Sequence, residues 1–214
     1  MTSTAQINRL RALLRDAHDD SDRQLARAAL PDVTLTRLGR RCLPRDASRE
    51  QAIRHAEVRR LGLAIHDARQ ALKDNRAQLQ SIVDDLAPGL TQRPGIGPVS
   101  AAQAIVAFSH PGRCRNDAAF ASLAGTCPIP ASSGRTVRHR LNRGGDRALN
   151  RAIHTIATVR MRDCPTTQAY IARRTAEGKT IREIKRCLKR YITRELYRTL
   201  TATMTPTTNN PVIA

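Results

Sequence analysis

Apolar side chains recur at helical spacing along most of the chain. Ile7, Leu10, Leu13 and Leu14 share one face of residues 5–30, which read as helical. Residues 31–48 hold Pro31, Pro44 and mixed polar residues, and read as a connector. From about Ser48 to Leu86 the pattern changes. Val58, Leu61, Ile65, Ala68, Leu72, Asn75, Leu79, Ile82 and Leu86 follow alternating steps of three and four. That is an a/d seam, expected to form a coiled coil or a long helical hairpin, with Asn75 able to fix register and partner number. An ordinary long helix packed on its own domain would show a similar stripe. Pro88-Gly89 ends the run.

Past Arg93 the pattern predicts short helices over 98–108, 117–124, 145–162, 166–177 and 180–202, joined by glycine turns. In the last of these, Ile181, Ile184, Leu188, Tyr191, Leu196 and Leu200 line one side, while Arg182, Lys185, Arg186, Lys189, Arg190, Arg194 and Arg198 crowd the others. The expected fold class is all-α: a long coiled-coil helix followed by a compact helical domain. The expected divisions are an N-terminal helical segment and connector (1–48), a coiled coil (49–88), a helical domain (89–202) and a disordered polar tail (203–214).

Composition narrows the core and the partners. Aromatics make up only 2% of the 214 residues, so the core must rest on Leu, Ile, Val and Ala. The formal net charge is +19, and it is concentrated. Residues 1–90 carry sixteen basic and twelve acidic groups; residues 91–200 carry twenty-one and six. A field of this sign and density, built mainly from Arg, favours polyanions, and nucleic acid above all. The five cysteines (Cys42, Cys114, Cys127, Cys164, Cys187) form no CxxC pair, which argues against a zinc site and a disulfide framework. With no signal peptide and no apolar run of membrane length, a cytoplasmic protein with no membrane association is expected.

Two stretches carry candidate chemistry. In Arg93-Pro94-Gly95-Ile96-Gly97-Pro98-Val99-Ser100-Ala101 two glycines flank one apolar residue just before a helix. A tight turn there would expose backbone N–H groups of Gly95 and Gly97 to a phosphate, as in a helix-hairpin-helix element. The alternative is a plain interhelical turn that needs glycine dihedrals. The second stretch, Ala124 to Thr136, contains two prolines and Ser132-Ser133-Gly134. Arg135, Arg138, His139, Arg140, Arg143 and Arg147 follow it. A serine hydroxyl becomes a useful nucleophile toward phosphorus only where cations face the non-bridging oxygens, and this stretch supplies them. The alternative is that Ser132 and Ser133 make turn hydrogen bonds beside a phosphate-contacting loop.

The blocks PGIGPVSAAQ, AFASLAGTCPIPASSGRT, RHRLNRGGDRALNRAIHTIATVRM and AYIARRTAEGKTIREIKRCLKRYITRELYR occur in this order between Arg93 and Leu200. This part resembles the C-terminal transposase domain of the bacterial insertion-sequence family that includes the pilin-gene-inverting recombinase, in its actinobacterial branch. Residues 49–88 resemble the coiled-coil insertion that precedes that domain. The resemblance implies Ser133 as nucleophile, with Ser132 the runner-up. It also implies that Arg135, Arg138 and Arg143, with the helix start near Gly145-Asp146, face the scissile phosphate or its flanks. Implied partners are DNA and a structured guide RNA, and the seam of residues 58–86 is expected to join further copies of the chain.

One departure from that family stands out. Its RuvC-like domain, whose four acidic residues hold magnesium, should precede the coiled coil, and residues 1–48 are too short and too helical to supply it. Asp16, Asp19, Asp20 and Asp22 look like one solvated helix end. The expectation is a truncated or late-start member with no metal site or cofactor of its own, magnesium entering only with the missing domain. Two functions then compete: a serine-dependent DNA recombinase fragment, and a non-catalytic nucleic-acid-binding protein that dimerises through its coiled coil. A purely structural coiled-coil adaptor would leave the basic half unexplained.

Overall fold

The computed structural model describes residues 4–17, 19–130, 139, 140, 142 and 144–204, with His139 described in its backbone alone. Among these residues there are nine helices and one two-residue strand pair, an all-α fold as expected. None of the helices is long and apolar enough to cross a membrane. The chain divides into two compact units, Met1–Asn75 and Arg76–Ala214.

The first unit contains α1 (Thr4–Arg15), α2 (Asp20–Arg27), α3 (Asp32–Arg40) and the N-terminal part of α4 (Arg49–Leu86). The single helix expected over 5–30 is two. The Asp19 carboxylate accepts from the Ser21 amide and caps a new start, so a polar run breaks the helix that the apolar spacing would have continued. The connector expected over 31–48 contains α3. Pro31 sits at its N-cap, where a missing N–H costs nothing, and Leu35 and Leu38 are buried behind it. Nor are the early aspartates one solvated end: Asp22 is buried and receives Arg41 Nη1 on both carboxylate oxygens at 2.7 Å.

The core of this unit joins Leu10, Leu14, Ala26, Leu30, Leu35 and Leu38 to Val58, Leu61 and Ile65 of α4. The first part of the a/d stripe is therefore consumed within the chain. Further along the same helix, Leu72 is 58% exposed, Ile82 55%, and Asn75 is also exposed. Toward its end α4 turns Val83, one position off the stripe, into the second core.

The second unit packs α5 (Pro98–Phe108), α6 (Asp117–Leu123), α7 (Arg147–Asp163) and α9 (Ile181–Met204) around an aliphatic core, with α8 (Pro165–Ala176) lying against α7 and α9. Both phenylalanines of the chain are spent there. Phe108, Phe120 and Tyr197 form a mutual ring cluster with centroids 5.9 to 6.0 Å apart, and the Tyr197 hydroxyl donates to the Cys114 carbonyl at 3.0 Å. Between α6 and α7, β1 (Ile129–Pro130) pairs antiparallel with β2 (His139–Arg140).

Candidate nucleic-acid interface

The glycine turn before α5 is clamped from behind. Gly95 has φ +75, and a Cβ there would stand 3.0 Å from the Ile156 carbonyl oxygen and 3.1 Å from Arg160 Cγ. Glycine is thus required twice, by dihedral and by the close approach of α7. Arg160 Nε donates to the Pro94 carbonyl at 2.7 Å, while its guanidinium nitrogens reach Glu195 at 2.7 and 3.1 Å; Arg93 reaches the same carboxylate at 3.0 Å. Burial pushes the Glu195 carboxyl up, and the two arginines outweigh it and hold it below the usual glutamate range. Gly97 is different. Its backbone is extended, nothing lies within 4 Å of where a Cβ would stand, and it heads α5 without a side-chain cap. Gly95 answers to packing, whereas Gly97 leaves the first amides of α5 without a side-chain partner.

A second construction holds the two arms on either side of residues 131–138. Gly125 (φ +65) and Gly145 (φ +99) lie so close that a Cβ on Gly145 would meet the Leu123 oxygen at 2.4 Å and the Gly125 nitrogen at 2.9 Å. The Asp146 amide donates to the Leu123 carbonyl at 2.7 Å. Asn150 donates to the Ala124 carbonyl at 2.6 Å, and Thr126 meets Thr193 of α9, hydroxyl to hydroxyl, at 3.0 Å. With the β1–β2 pair, these contacts fix both feet of the intervening stretch. Ser132, Ser133, Arg135 and Arg138 fall within that stretch, and they and Arg143 lie outside the described residues.

Arg140 and Arg147 are both exposed, and they serve different places. Arg147 begins α7, where the Asp146 carboxylate already accepts from the Ala148 and Leu149 amides at 2.8 and 2.9 Å. The α7 start therefore satisfies its own first donors. Arg140 lines a cleft of about 700 Å³ at the feet of the stretch, bounded by Gly125–Pro128, Asn142 and the α8–α9 hairpin. Arg174, Lys179, Arg186, Lys189 and Arg190 complete its cationic lining, and Glu183 is the single acidic residue among them. Glu183 is held low chiefly by the backbone and hydroxyl of Thr180, with which it caps α9, and then by Lys179 and Arg186. Arg174 is partly neutralised by Glu177.

Lys189 is the most constrained of these cations. It donates to Asn150 Oδ1 at 2.6 Å, and burial followed by repulsion from Lys185 draws its amine below the usual lysine range. His154 on α7 is likewise lowered, first by burial and then by Lys189 and Lys185. In both groups burial is the larger cause and repulsion among the cations the smaller, and an anion between them would relieve the smaller part.

The α9 cations were visible in the sequence as a crowded helix face, but their convergence with Arg140, Arg174 and Lys179 was not. The spacing of Arg186, Lys189 and Arg190 places them on neighbouring faces of one helix, and no linear signal brings β2 and α8 to the same cleft.

Residues 87–172 match the model of a family described as the transposase IS116/IS110/IS902 family. The chain is also 35% identical over 120 residues to an insertion element IS110 uncharacterized 43.6 kDa protein of Streptomyces coelicolor. That alignment takes in 55% of this chain and 29% of the relative, so the chain spans less than a third of the relative's length. The family match covers residues 87–172, and the alignment with the Streptomyces protein is a second similarity that supports the transposase family.

Proposed function

We propose that the second unit grips nucleic acid through the cationic cleft and carries, at Ser133, the nucleophile of a transposase or recombinase. The observation that supports the grip is a cleft lined by six cations and one carboxylate, placed where the two feet of the 131–138 stretch are pinned. Ser133 rests on the resemblance and on the arginines that follow it in sequence; Ser132 is the alternative hydroxyl. The nucleic acid is DNA, with a structured guide RNA as a further partner. Arg135, Arg138 and Arg143 would stand by the reacting phosphate, where negative charge accumulates during transfer to the hydroxyl.

Magnesium, which the resemblance implies, does not fit the described residues. Among them no group of three or more His, Cys, Asp or Glu side chains could hold a metal ion. Asp19 and Asp22 are occupied by a helix cap and by Arg41. No step is therefore routed through a metal in this chain. A RuvC-like domain is the proposed source of that chemistry.

The test is incubation of the protein with element-end DNA and a full-length partner. A covalent protein–DNA adduct that disappears in Ser133→Ala is expected. Retention of DNA with no adduct under any condition would establish the second reading, a nucleic-acid-binding protein without strand chemistry. In both cases affinity should fall steeply with salt, because phosphate contacts release counterions. A flat salt response would remove nucleic acid from the account.

A further inference from the structure

The chain has three tyrosines and no tryptophan, and the aromatic core uses only Tyr197 with the two phenylalanines. The other two tyrosines are placed together on the surface of the α8–α9 hairpin. Tyr170 and Tyr191 meet edge to face, with centroids 6.0 Å apart and planes at 89°. The Arg173 guanidinium lies 5.7 Å from the Tyr170 ring centre, and Tyr191 remains 56% exposed. Tyr191 is thus packed against Tyr170 on one side while more than half of its surface stays open.

The position of the pair relative to the cleft is informative. Arg174 and Cys187 both line the cleft. Arg174 follows Tyr170 by one helical turn on α8, and Cys187 precedes Tyr191 by one turn on α9. Residues four apart are surface neighbours on a helix. The aromatic pair therefore continues the cationic cleft along the same hairpin. Cations alone would suit any polyanion, duplex included. An exposed ring beside them adds a platform for a flat ligand, and a duplex keeps the faces of its bases stacked within itself.

We infer that the α8–α9 hairpin binds an unpaired polynucleotide strand, its backbone phosphates seated among Lys189, Arg186 and Arg190 and one base stacked on Tyr191. This rests on the nucleic-acid reading and narrows it: the strand at this site is single, whether DNA or RNA. The base is held by its π-face, which every base has, so the site positions a strand without reading its sequence.

The experiment is fluorescence anisotropy of the full chain with a labelled twelve-nucleotide DNA, the RNA of the same sequence, and the corresponding DNA duplex. Tyr191→Ala should weaken unpaired-strand binding about fivefold or more, whereas Tyr191→Phe keeps it within about twofold. Duplex binding should be unchanged in both. Arg186→Ala and Arg190→Ala should each lower the salt slope by about one. The relative losses on DNA and RNA identify which strand the site prefers, and a tyrosine-dependent loss on either supports the inference. Quenching of tyrosine emission in the unaltered protein by the unpaired oligonucleotide, and not by the duplex, tests the same contact without a substitution. Equal losses on strand and duplex, or none with Tyr191→Ala, would overturn the single-strand site while leaving nucleic-acid binding standing. Failure of the unaltered protein to bind any of the three would remove both.

Discussion

Lys189 donates to the side-chain oxygen of Asn150 at 2.6 Å, and Asn150 in turn donates to the Ala124 carbonyl at 2.6 Å. One amide thus ties a cleft cation to the loop that leaves α6. Asn150→Ala removes an acceptor and a donor in one step. The expected cost is about 1–3 kcal/mol, since hydrogen bonds to a charged group sit at the upper end of the usual range. Urea unfolding monitored by circular dichroism measures it. An unchanged midpoint would mean that the linkage contributes nothing to the folded state.

Gly145 and Gly89 both adopt left-handed backbone, with φ +99 and +77, and their surroundings differ. Around Gly89 there is open space. Gly89→Ala should cost about 1 kcal/mol, the conformational penalty alone. Gly145→Ala adds a collision with the Leu123 carbonyl and should cost about 2 kcal/mol or more. Equal losses from the two variants would contradict the close approach of the loop feet.

The Glu195 carboxylate, held below its ordinary value of 4.5 by Arg160 and Arg93 against the opposing effect of burial, couples folding to pH. A carboxyl depressed in the folded state favours folding fully above its unfolded pKa. That contribution fades as the pH falls through the folded value. Stability of the native chain should decline below about pH 4.5, and Glu195→Gln should flatten that part of the curve while lowering stability at neutral pH by roughly 1–3 kcal/mol. Denaturation midpoints between pH 3 and 7, compared for the two proteins, decide the point.

Cys164 closes α7 and opens α8, and its thiol is lowered to about 7, first by the Thr166 hydroxyl and then by the hydroxyl and amide of Thr167. The thiolate, and with it the rate of alkylation, should rise through neutral pH with a midpoint near 7. In a variant whose other four cysteines are serine, iodoacetamide labelling against pH provides the measurement. A midpoint near 9 would show that the two threonines do not act on the sulfur.

Assembly through α4 is a separate proposal. Val58, Leu61 and Ile65 are already buried within one chain, so only the later part of the stripe is open to a second copy. Leu72→Lys combined with Ile82→Lys should shift sedimentation of the full chain from oligomer to monomer. The equivalent change at Leu61 should unfold the first unit instead. A wild-type chain that sediments as a monomer at high concentration would end the proposal.

The helices of the second unit were legible because each has one apolar face and a clear stop. Pro98 and Pro165 start two of them, and the boundaries read from the sequence lie within two residues of those found. The first unit was less legible. A periodic stripe does not reveal that Asp19 interrupts it, and a proline reads equally well as a breaker or as the head of α3. The a/d seam was real as a pattern, yet its spacing says nothing about whether α1 to α3 or another chain covers it. At the cleft, the excess of positive charge was legible in the sequence, but its location was not. The cleft walls come from β2, α8 and α9, a convergence that depends on Gly125 meeting Gly145 and on Thr126 meeting Thr193 across long sequence separations.

The paired feet at Gly125 and Gly145 have a consequence for how the second unit comes apart. Their closure draws on backbone and side chains of Leu123, Ala124, Thr126, Gly145, Asn150 and Thr193, so three helices share it. A change at any one of these positions acts on both arms at once. The two arms are therefore expected to loosen together, as one cooperative unit with α9.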